Sequence, residues 1–489
     1  MQRPNLLFVF TDEQRYDTMA AYGNDRIQTP VLSRLAESAT VFDRAYVTQP
    51  VCTPSRSTLM TGLYPHANGC TENNVPLQDD TPCLPEMLPP GEYVTGYHGK
   101  WHLGDEIFPQ HGFEDWVSID DCYRGYYREG LDRDARSTYH HWLVAHGREP
   151  GPENTFGRHA ITSLPEEMSK PAFLAETASD FIVRNADRPW CLAVNFFEPH
   201  MPFTGPRNGQ YDPAEVPLPE NFDCPPTEDQ PLKARLFSET YRRDGFEGID
   251  LDCEDGWRTI RARYWGLCSL VDTHLGRILA TLERTGQADN TIIVYTSDHG
   301  DMMGSHRLLA KCVQFEEAIR VPLIVKLPGQ TEGRRVEGPV SQVDLMPTLL
   351  ELMGVEPPSH LQGCSLRNSL RSGEPSGRDV VVEWNGNNNG FGDRIGEVAI
   401  RDSMRTLADE EQIVSAIRDE VRTLLSPDGW KLNVSPRGEH ELYDLSDDPQ
   451  EKQNLAADPA CRQRMNDMLG RIKQWQRETG DSANLPASL

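Results

Sequence analysis

Two clusters of potential ligands stand where apolar runs end. Asp12 and Glu13 close "NLLFVFTDEQ", and Asp298 with His299 closes "NTIIVYTSDHGD". Three carboxylates and one imidazole meeting in space would form an oxygen-rich cation site, suited to Ca²⁺ or Mg²⁺ and, through the nitrogen, to Mn²⁺. Taken alone, either pair is also an ordinary acidic strand end. Lys100 and His102 lie two apart in "GKWHLG", so an extended backbone would turn both to one face. His200 sits between prolines in "EPHMPF", which hold the chain extended, and Lys311 in "LLAKCVQFEE" follows the Asp298–His299 pair. Singly these read as surface or supporting residues. Together they form a cationic pocket beside a cation site, fit to hold a tetrahedral oxyanion. Finally, "QPVCTPSRSTLMTGLYPH" sets Cys52 four positions before Arg56, at a loop-to-helix junction. The residue types leave three readings of that thiol open: a buried apolar side chain, a thiolate nucleophile, or the precursor of another group.

Elements that deliver polar tips to one edge must position these residues. "NLLFVFTDEQ", "RPWCLAVNFFEPHMPF" and "NTIIVYTSDHGD" are continuous apolar runs ending in Asp, Glu or His. They predict buried parallel strands of one α/β sheet whose site lies beyond the strand ends. "TPVLSRLAESAT" and "YWGLCSLVDTHLGRILATLERTG" predict helices between them, the second closed by Gly286. A further strand follows "RVPLIVKLPG", and "VDLMPTLLELMGV" predicts a helix. Residues 105–170 and 203–245, rich in Pro, Gly, Tyr, His and charge, read as long loops over the sheet. Their stretches "CYRGYYREG" and "STYHHWLVAHG" read as pocket lining for an aryl or sugar ring, with a surface loop as the alternative. Residues 354–378 read as a linker and "NGNNNG" as a polar loop. In the tail, "VRTLLS", "WKLNV" and "HELYDL" predict short strands before the helix "ACRQRMNDMLGRIKQWQRE". The expected architecture is a large, mostly parallel mixed sheet between helices over 1–370, with a small α+β domain of antiparallel strands and a terminal helix over 371–489.

The chain has 489 residues with 37% hydrophobic, enough for a large core. Its formal charge of −27 argues against nucleic acid and anionic membranes and reads first as solubility, while leaving room for a small anionic substrate in a locally positive pocket. The first residues hold only a short apolar run, so no secretory signal is expected, and no run reaches the roughly 18 apolar residues of a membrane span. The eleven scattered cysteines then read as reduced thiols of a cytoplasmic protein.

The pentapeptide Cys52-Thr53-Pro54-Ser55-Arg56, with its extension "STLMTGLYPH", resembles the Cys-x-Pro-Ser-Arg signature of type I sulfatases, in the alkaline phosphatase superfamily. Other blocks follow in order: Asp12–Glu13, "GKWHLG", His200, Asp298–His299, Lys311 before Phe315–Glu316, and "ELYDLSDDPQEKQNLA". The resemblance spans residue 4 to about 456. It implies an alkaline phosphatase-like fold and a maturation enzyme that oxidises Cys52 to formylglycine (3-oxoalanine). It also implies one divalent cation held by Asp12, Glu13, residue 52, Asp298 and His299. Hydrated to a gem-diol, the formylglycine would attack a sulfate monoester of an aryl, alkyl or sugar alcohol and later expel sulfate. The implied roles are support of the diol for Arg56, sulfate clamps for Lys100 and Lys311, and leaving-group proton donation for His200 or Lys311. His102 would be the base for the collapse, and Asn73 a neutral donor to the ester. Ca²⁺ is the expected cation, and because Glu13 and His299 depart from the more common Asp and Asn, Mn²⁺ stands as its rival. A phosphonate monoester or phosphodiester hydrolase using the same machinery is the alternative, and a non-catalytic anion-binding protein with an intact Cys52 is a third reading. Monomer and homo-oligomer both remain open.

Overall fold

A strand covered by helices on both faces has no side to give to water, so its sequence reads as unbroken Leu, Val, Ile and Phe. The computed structural model describes residues 3–386, 391 and 394–489, so 387–390 of the polar loop lie outside the described residues. β1, β5, β6 and β7 hold such runs, and with four more mixed strands they form one sheet: β1 (Asn5–Asp12), β2 (Thr40–Tyr46), β3 (Val94–Gly99), β4 (Asp115–Ser118), β5 (Trp190–Pro199), β6 (Thr291–Ser297), β7 (Arg320–Lys326) and β8 (Arg334–Ser341). Their order is β4-β3-β5-β1-β6-β7-β2-β8. β7 alone is reversed, pairing antiparallel with β6 and β2, and the other ladders are parallel. β1 lies between β5 and β6, with Phe10 opposite Asn195 on one side and Thr296 on the other. The carboxyl ends of these three strands therefore open side by side.

Period-two alternation splits the strand side chains between two cores. Leu7, Val9, Leu192, Val194 and Ile293 pack against α2 (Lys170–Arg184) and α4 (Glu254–Arg284), through Phe181, Ile182, Leu275 and Ile278. Leu6, Phe8, Phe10, Ile292 and Val294 face the other way, toward Leu59 and Met60 of α1 (Cys52–Thr61) and the helix Leu345–Leu352. A third cluster caps the strand ends, where Leu236 and Phe237 of α3 (Leu232–Asp244) meet Trp257 and Ile260 of α4.

A second, fully antiparallel sheet follows: β9 (Val380–Glu383), β10 (Arg422–Leu425), β11 (Trp430–Val434) and β12 (Glu441–Asp444), ordered β12-β11-β10-β9. One face packs Leu424, Leu432 and Leu442 on Met465, Met468 and Ile472 of α5 (Arg462–Thr479). The other sends Val380, Val382 and Leu425 into the large sheet's core.

Several expectations need correction. α4 begins at Glu254 rather than near Tyr264. The stretches read as loops contain α3 and the helix Thr138–Ala145, and the linker contains the helix Arg367–Ser372 with Leu370 buried. β9 was not foreseen. In α3, Leu232, Leu236, Phe237 and Tyr241 make an apolar stripe at helical spacing, but charged residues between them mask it. Among the described residues no helix is long and apolar enough to cross a membrane.

Candidate active site

Cys52 opens α1 at the carboxyl edge of the large sheet, and every residue of that helix is buried. Asn73 Oδ1 accepts from the Thr53 amide at 3.0 Å, supplying one of the partners a helix start lacks. The Ser55 hydroxyl donates to the Asp298 carbonyl, which ties α1 to the end of β6. Cys52 Sγ thereby lies 3.2 Å from His299 Nε2 and 3.7 Å from Asp12 Oδ1.

Arg56 is the keystone beneath it. Nη2 lies 2.8 Å from Asp12 Oδ2, Nε 2.8 Å from Asp298 Oδ2, and Nη1 donates to the Lys100 carbonyl and Asn195 Oδ1 at 2.6 and 2.9 Å. Lys100 Nζ reaches the same Asp12 Oδ2 at 2.6 Å. Charges this deep persist only when each is paired, because an unpaired one carries the full desolvation penalty. Burial opposes ionisation of Asp12, yet Lys100, His200, Arg56 and Lys311 together hold it well below the usual carboxylate range. Burial likewise opposes the charge on Lys100, and Asp12 outweighs it, raising the ammonium above its ordinary value.

Glu13 has a left-handed backbone with φ 71°, so the chain turns at the strand end and two consecutive carboxylates diverge. Asp12 serves Cys52 and Arg56. Glu13 Oε2 takes Lys311 Nζ at 2.9 Å and faces His200 Nε2 at 3.4 Å. Glu13 also shares a side-chain hydrogen bond with Asp301, and burial, reinforced by the Asp301 charge, pushes its carboxyl up to about 8. The ligand atoms of Asp12, Cys52, Asp298 and His299 all lie within 4.8 Å of one another. Glu13 falls instead into a neighbouring group with Asp12 and His200. Two carboxylates and an imidazole, with the Glu13 carboxyl beside them, are a donor set that fits a hard divalent cation.

Lys100 and His102 do share one cavity, but not by strand alternation. They follow β3, and His102 is left-handed with φ 59°. The prolines around His200 do not hold an extended run either: β5 ends at Pro199 and the chain bends over 200–202. His102 Nε2 donates to Asn74 Oδ1 at 2.9 Å, which leaves Nδ1 bare and, among the described residues, without a partner. Burial lowers the pKa of both His102 and His200 well below the ordinary histidine value, reinforced by Lys100 and Lys311 respectively, so both are neutral at neutral pH. Burial and the Asp12 charge push the Cys52 thiol up to about 11, the opposite of an activated thiolate.

The cavity above Cys52 has a volume of about 580 Å³ and is lined by Asn73, Lys100, His102, His200 and Lys311 with Tyr123, Arg158, Phe237, Tyr241, Phe246 and Phe391. Asn73, Lys100, His102, His200 and Lys311 thus line one cavity. Of the two aromatic stretches, only "CYRGYYREG" contributes, through Tyr123. In "STYHHWLVAHG", Tyr139 and Leu143 are buried in the core behind the sheet. Sequence reasoning missed Asn74, Asn195 and Arg158. Asn74 had a signal in its doubled neighbour Asn73, whereas Asn195 and Arg158 had none.

A family model described as "Sulfatase" matches residues 4–355. The multifunctional alkaline phosphatase superfamily protein PehA of Trinickia caryophylli is 29% identical, over 98% of this chain and 96% of that one. The choline-sulfatase of Rhizobium meliloti is 29% identical over 98% and 88%. Among solved structures, the phosphonate monoester hydrolase SpPMH from Silicibacter pomeroyi superposes with a TM-score of 0.78 at 25% identity, covering 98% of this chain and 96% of that one.

Proposed function

The chain belongs to the sulfatase family, and from that premise we propose that it hydrolyses sulfate monoesters with a formylglycine made from Cys52 by a separate maturation enzyme. The observation that carries the reading is the surroundings of Cys52. Its sulfur faces His299 and Asp12 at the floor of a cavity whose lining includes Lys100, His102, His200 and Lys311. A thiol pushed up by burial is a poor nucleophile there, and the same position occupied by an oxygen group suits the hard-cation donor set.

Asp12, Asp298 and His299 would hold the cation, with Glu13 beside them; Ca²⁺ suits these oxygens best and Mn²⁺ is the rival. When bound, it would acidify the nucleophilic oxygen at position 52. The protein's own groups do the rest. Lys100 and Lys311 bind sulfate oxygens, countering charge that builds in the transition state. Arg56, locked between Asp12 and Asp298, holds residue 52 in register with both carboxylates. Lys311, held protonated beside Glu13, gives a proton to the departing alcohol oxygen; His200, neutral and with Nδ1–H donated to the Met201 carbonyl, is left to orient the ester rather than to act as the acid. His102, neutral with Nδ1 bare, is equipped to take a proton during release of sulfate.

A phosphonate or phosphodiester centre has the same tetrahedral shape, and the likeness to the phosphonate monoester hydrolase SpPMH supports that activity as a second one. The match of Lys100 and His102 to the sulfatase block "GKWHLG" favours the sulfate. Turnover of 4-nitrophenyl sulfate against 4-nitrophenyl phenylphosphonate, with matured protein and added Ca²⁺ or Mn²⁺, tests the order. We expect the higher kcat/KM for the sulfate; a phosphonate preference of tenfold or more would reverse the assignment.

A further inference from the structure

His102 is restrained by three bonds along its own plane or backbone. Its amide donates to Glu106 Oε2 at 2.7 Å, its carbonyl accepts from Thr53 Oγ1 at 2.8 Å, and Nε2 donates to Asn74 at 2.9 Å. One hydrogen bond at one ring atom leaves an imidazole free to tilt about that point. The remaining restraint acts on the ring face: the Tyr123 ring lies 4.2 Å away, centroid to centroid, at an interplanar angle of 32°.

Tyr123 is itself held. Its hydroxyl accepts from Arg158 Nη2 at 2.9 Å, and Arg158 gives Nε and Nη2 to Asp120 Oδ2 at 3.0 and 2.9 Å. Asp120, with a side chain 2% exposed, also meets Lys170 Nζ at 3.6 Å and accepts from the Cys122 amide at 2.8 Å. The Arg158 guanidinium lies 4.8 Å from the Phe197 ring centroid, on the strand that leads to His200. Asp120, Cys122, Tyr123, Arg158 and Lys170 all come from the chain between β3 and β5, outside the blocks of the family resemblance.

We infer that Tyr123, pinned by the Asp120–Arg158 pair, is a positioning residue that fixes the plane of the His102 imidazole in the cavity. This rests on the sulfatase reading of that cavity. The competing role is a platform for the substrate's alcohol. But His102 at 4.2 Å, the Arg158 guanidinium at 5.4 Å and the Lys100 ammonium at 5.7 Å already crowd the phenol ring. It is engaged by the protein rather than held out for a ligand. A base whose ring can tilt spends less time with its lone pair aligned, and displacements of about 1 Å cost up to about 100-fold in rate.

The test is steady-state kinetics of matured, metal-loaded full-length protein on 4-nitrophenyl sulfate, with melting temperature measured alongside. Tyr123→Ala should lower kcat about 10- to 100-fold with KM within about threefold, and Tyr123→Phe, which keeps the ring, should return kcat to within about threefold of wild type. Arg158→Gln, which frees the ring without removing it, should fall between, at about 3- to 10-fold. If Tyr123→Ala does not fold, Arg158→Gln decides alone. A raised KM with unchanged kcat, or a Tyr123→Phe variant as slow as Tyr123→Ala, would overturn the inference. A wild type that does not turn over the ester removes the sulfatase reading and the inference with it; an active wild type matched by its variants removes the inference alone.

Discussion

Lys100 and Lys431 are both fully buried lysines, and each ammonium lies 2.6 Å from a carboxylate oxygen, of Asp12 and Glu451 respectively. Yet one belongs to a catalytic cavity and the other to a seam. Lys431, on β11, also faces Glu316 Oε1 at 3.5 Å and so joins the small sheet to the segment leading into β7. Around it hydrogen bonds close the charges off. Glu451 Oε2 accepts from the Glu316 amide at 2.7 Å, Tyr46 donates to Glu316 at 3.1 Å, and Tyr443 donates to Glu441 at 2.7 Å. Around Lys100 the pairing is incomplete on the side of the cavity, where His102 Nδ1 has no partner among the described residues. A buried charge cluster is structural when its members exhaust one another. It becomes a site when potential ligand atoms are left over beside open space.

The sharpest way to break the comparison is to remove the group on which the cavity converges. Cys52→Ala should lower turnover by about 10⁴-fold or more while the melting temperature stays within a few degrees, because the strand framework does not depend on that side chain. Substantial residual turnover would show that the cavity works without it. Next comes one charge from each cluster. Asp298→Asn strands half of the Arg56 guanidinium, so it should destabilise by about 3–5 kcal/mol in denaturant unfolding. It should also lower bound metal and rate together, read by elemental analysis and assay. Lys431→Met should cost a similar 3–5 kcal/mol, by leaving Glu451 and Glu316 uncompensated, but leave kcat of the folded fraction within about twofold of wild type. Unchanged metal content in Asp298→Asn, or a large kcat loss in Lys431→Met, would blur the distinction.

The smallest effect is in pH. Burial pushes Glu13 and Glu451 each up to about 8 from an ordinary value of 4.5. Between those values the folded chain holds protons that the unfolded chain releases, so stability falls as pH rises from about 5 to 8. Excess Ca²⁺ should flatten the part of that slope due to Glu13 and leave the part due to Glu451. Melting temperature against pH, with and without Ca²⁺, separates the two. A slope that Ca²⁺ leaves untouched would place Glu13 outside the cation's reach.

How much of this was legible in the sequence follows from what each feature depends on. β1 and β6 were readable because an apolar run and its acidic tip are contiguous, and the Cys52 block because its residues share one helical turn. Features that depend on distant chain were not. Asn195 meets Arg56 only because β5 lies beside β1, and Lys431 meets Glu451 and Glu316 only once the small sheet docks. Local backbone also intervened: the left-handed Glu13 sends two adjacent carboxylates to different partners, and the left-handed His102 replaces strand alternation. Helix α3 was hidden because its solvent side carries enough charge to mask a narrow apolar stripe.

The central claim is the chemical nature of residue 52, and the mass of the tryptic peptide Ala45–Arg56 from active protein tests it most directly. The account predicts a peptide lighter than the cysteine form that reacts with an aldehyde probe, in proportion to activity. An alkylatable thiol in fully active protein would contradict it.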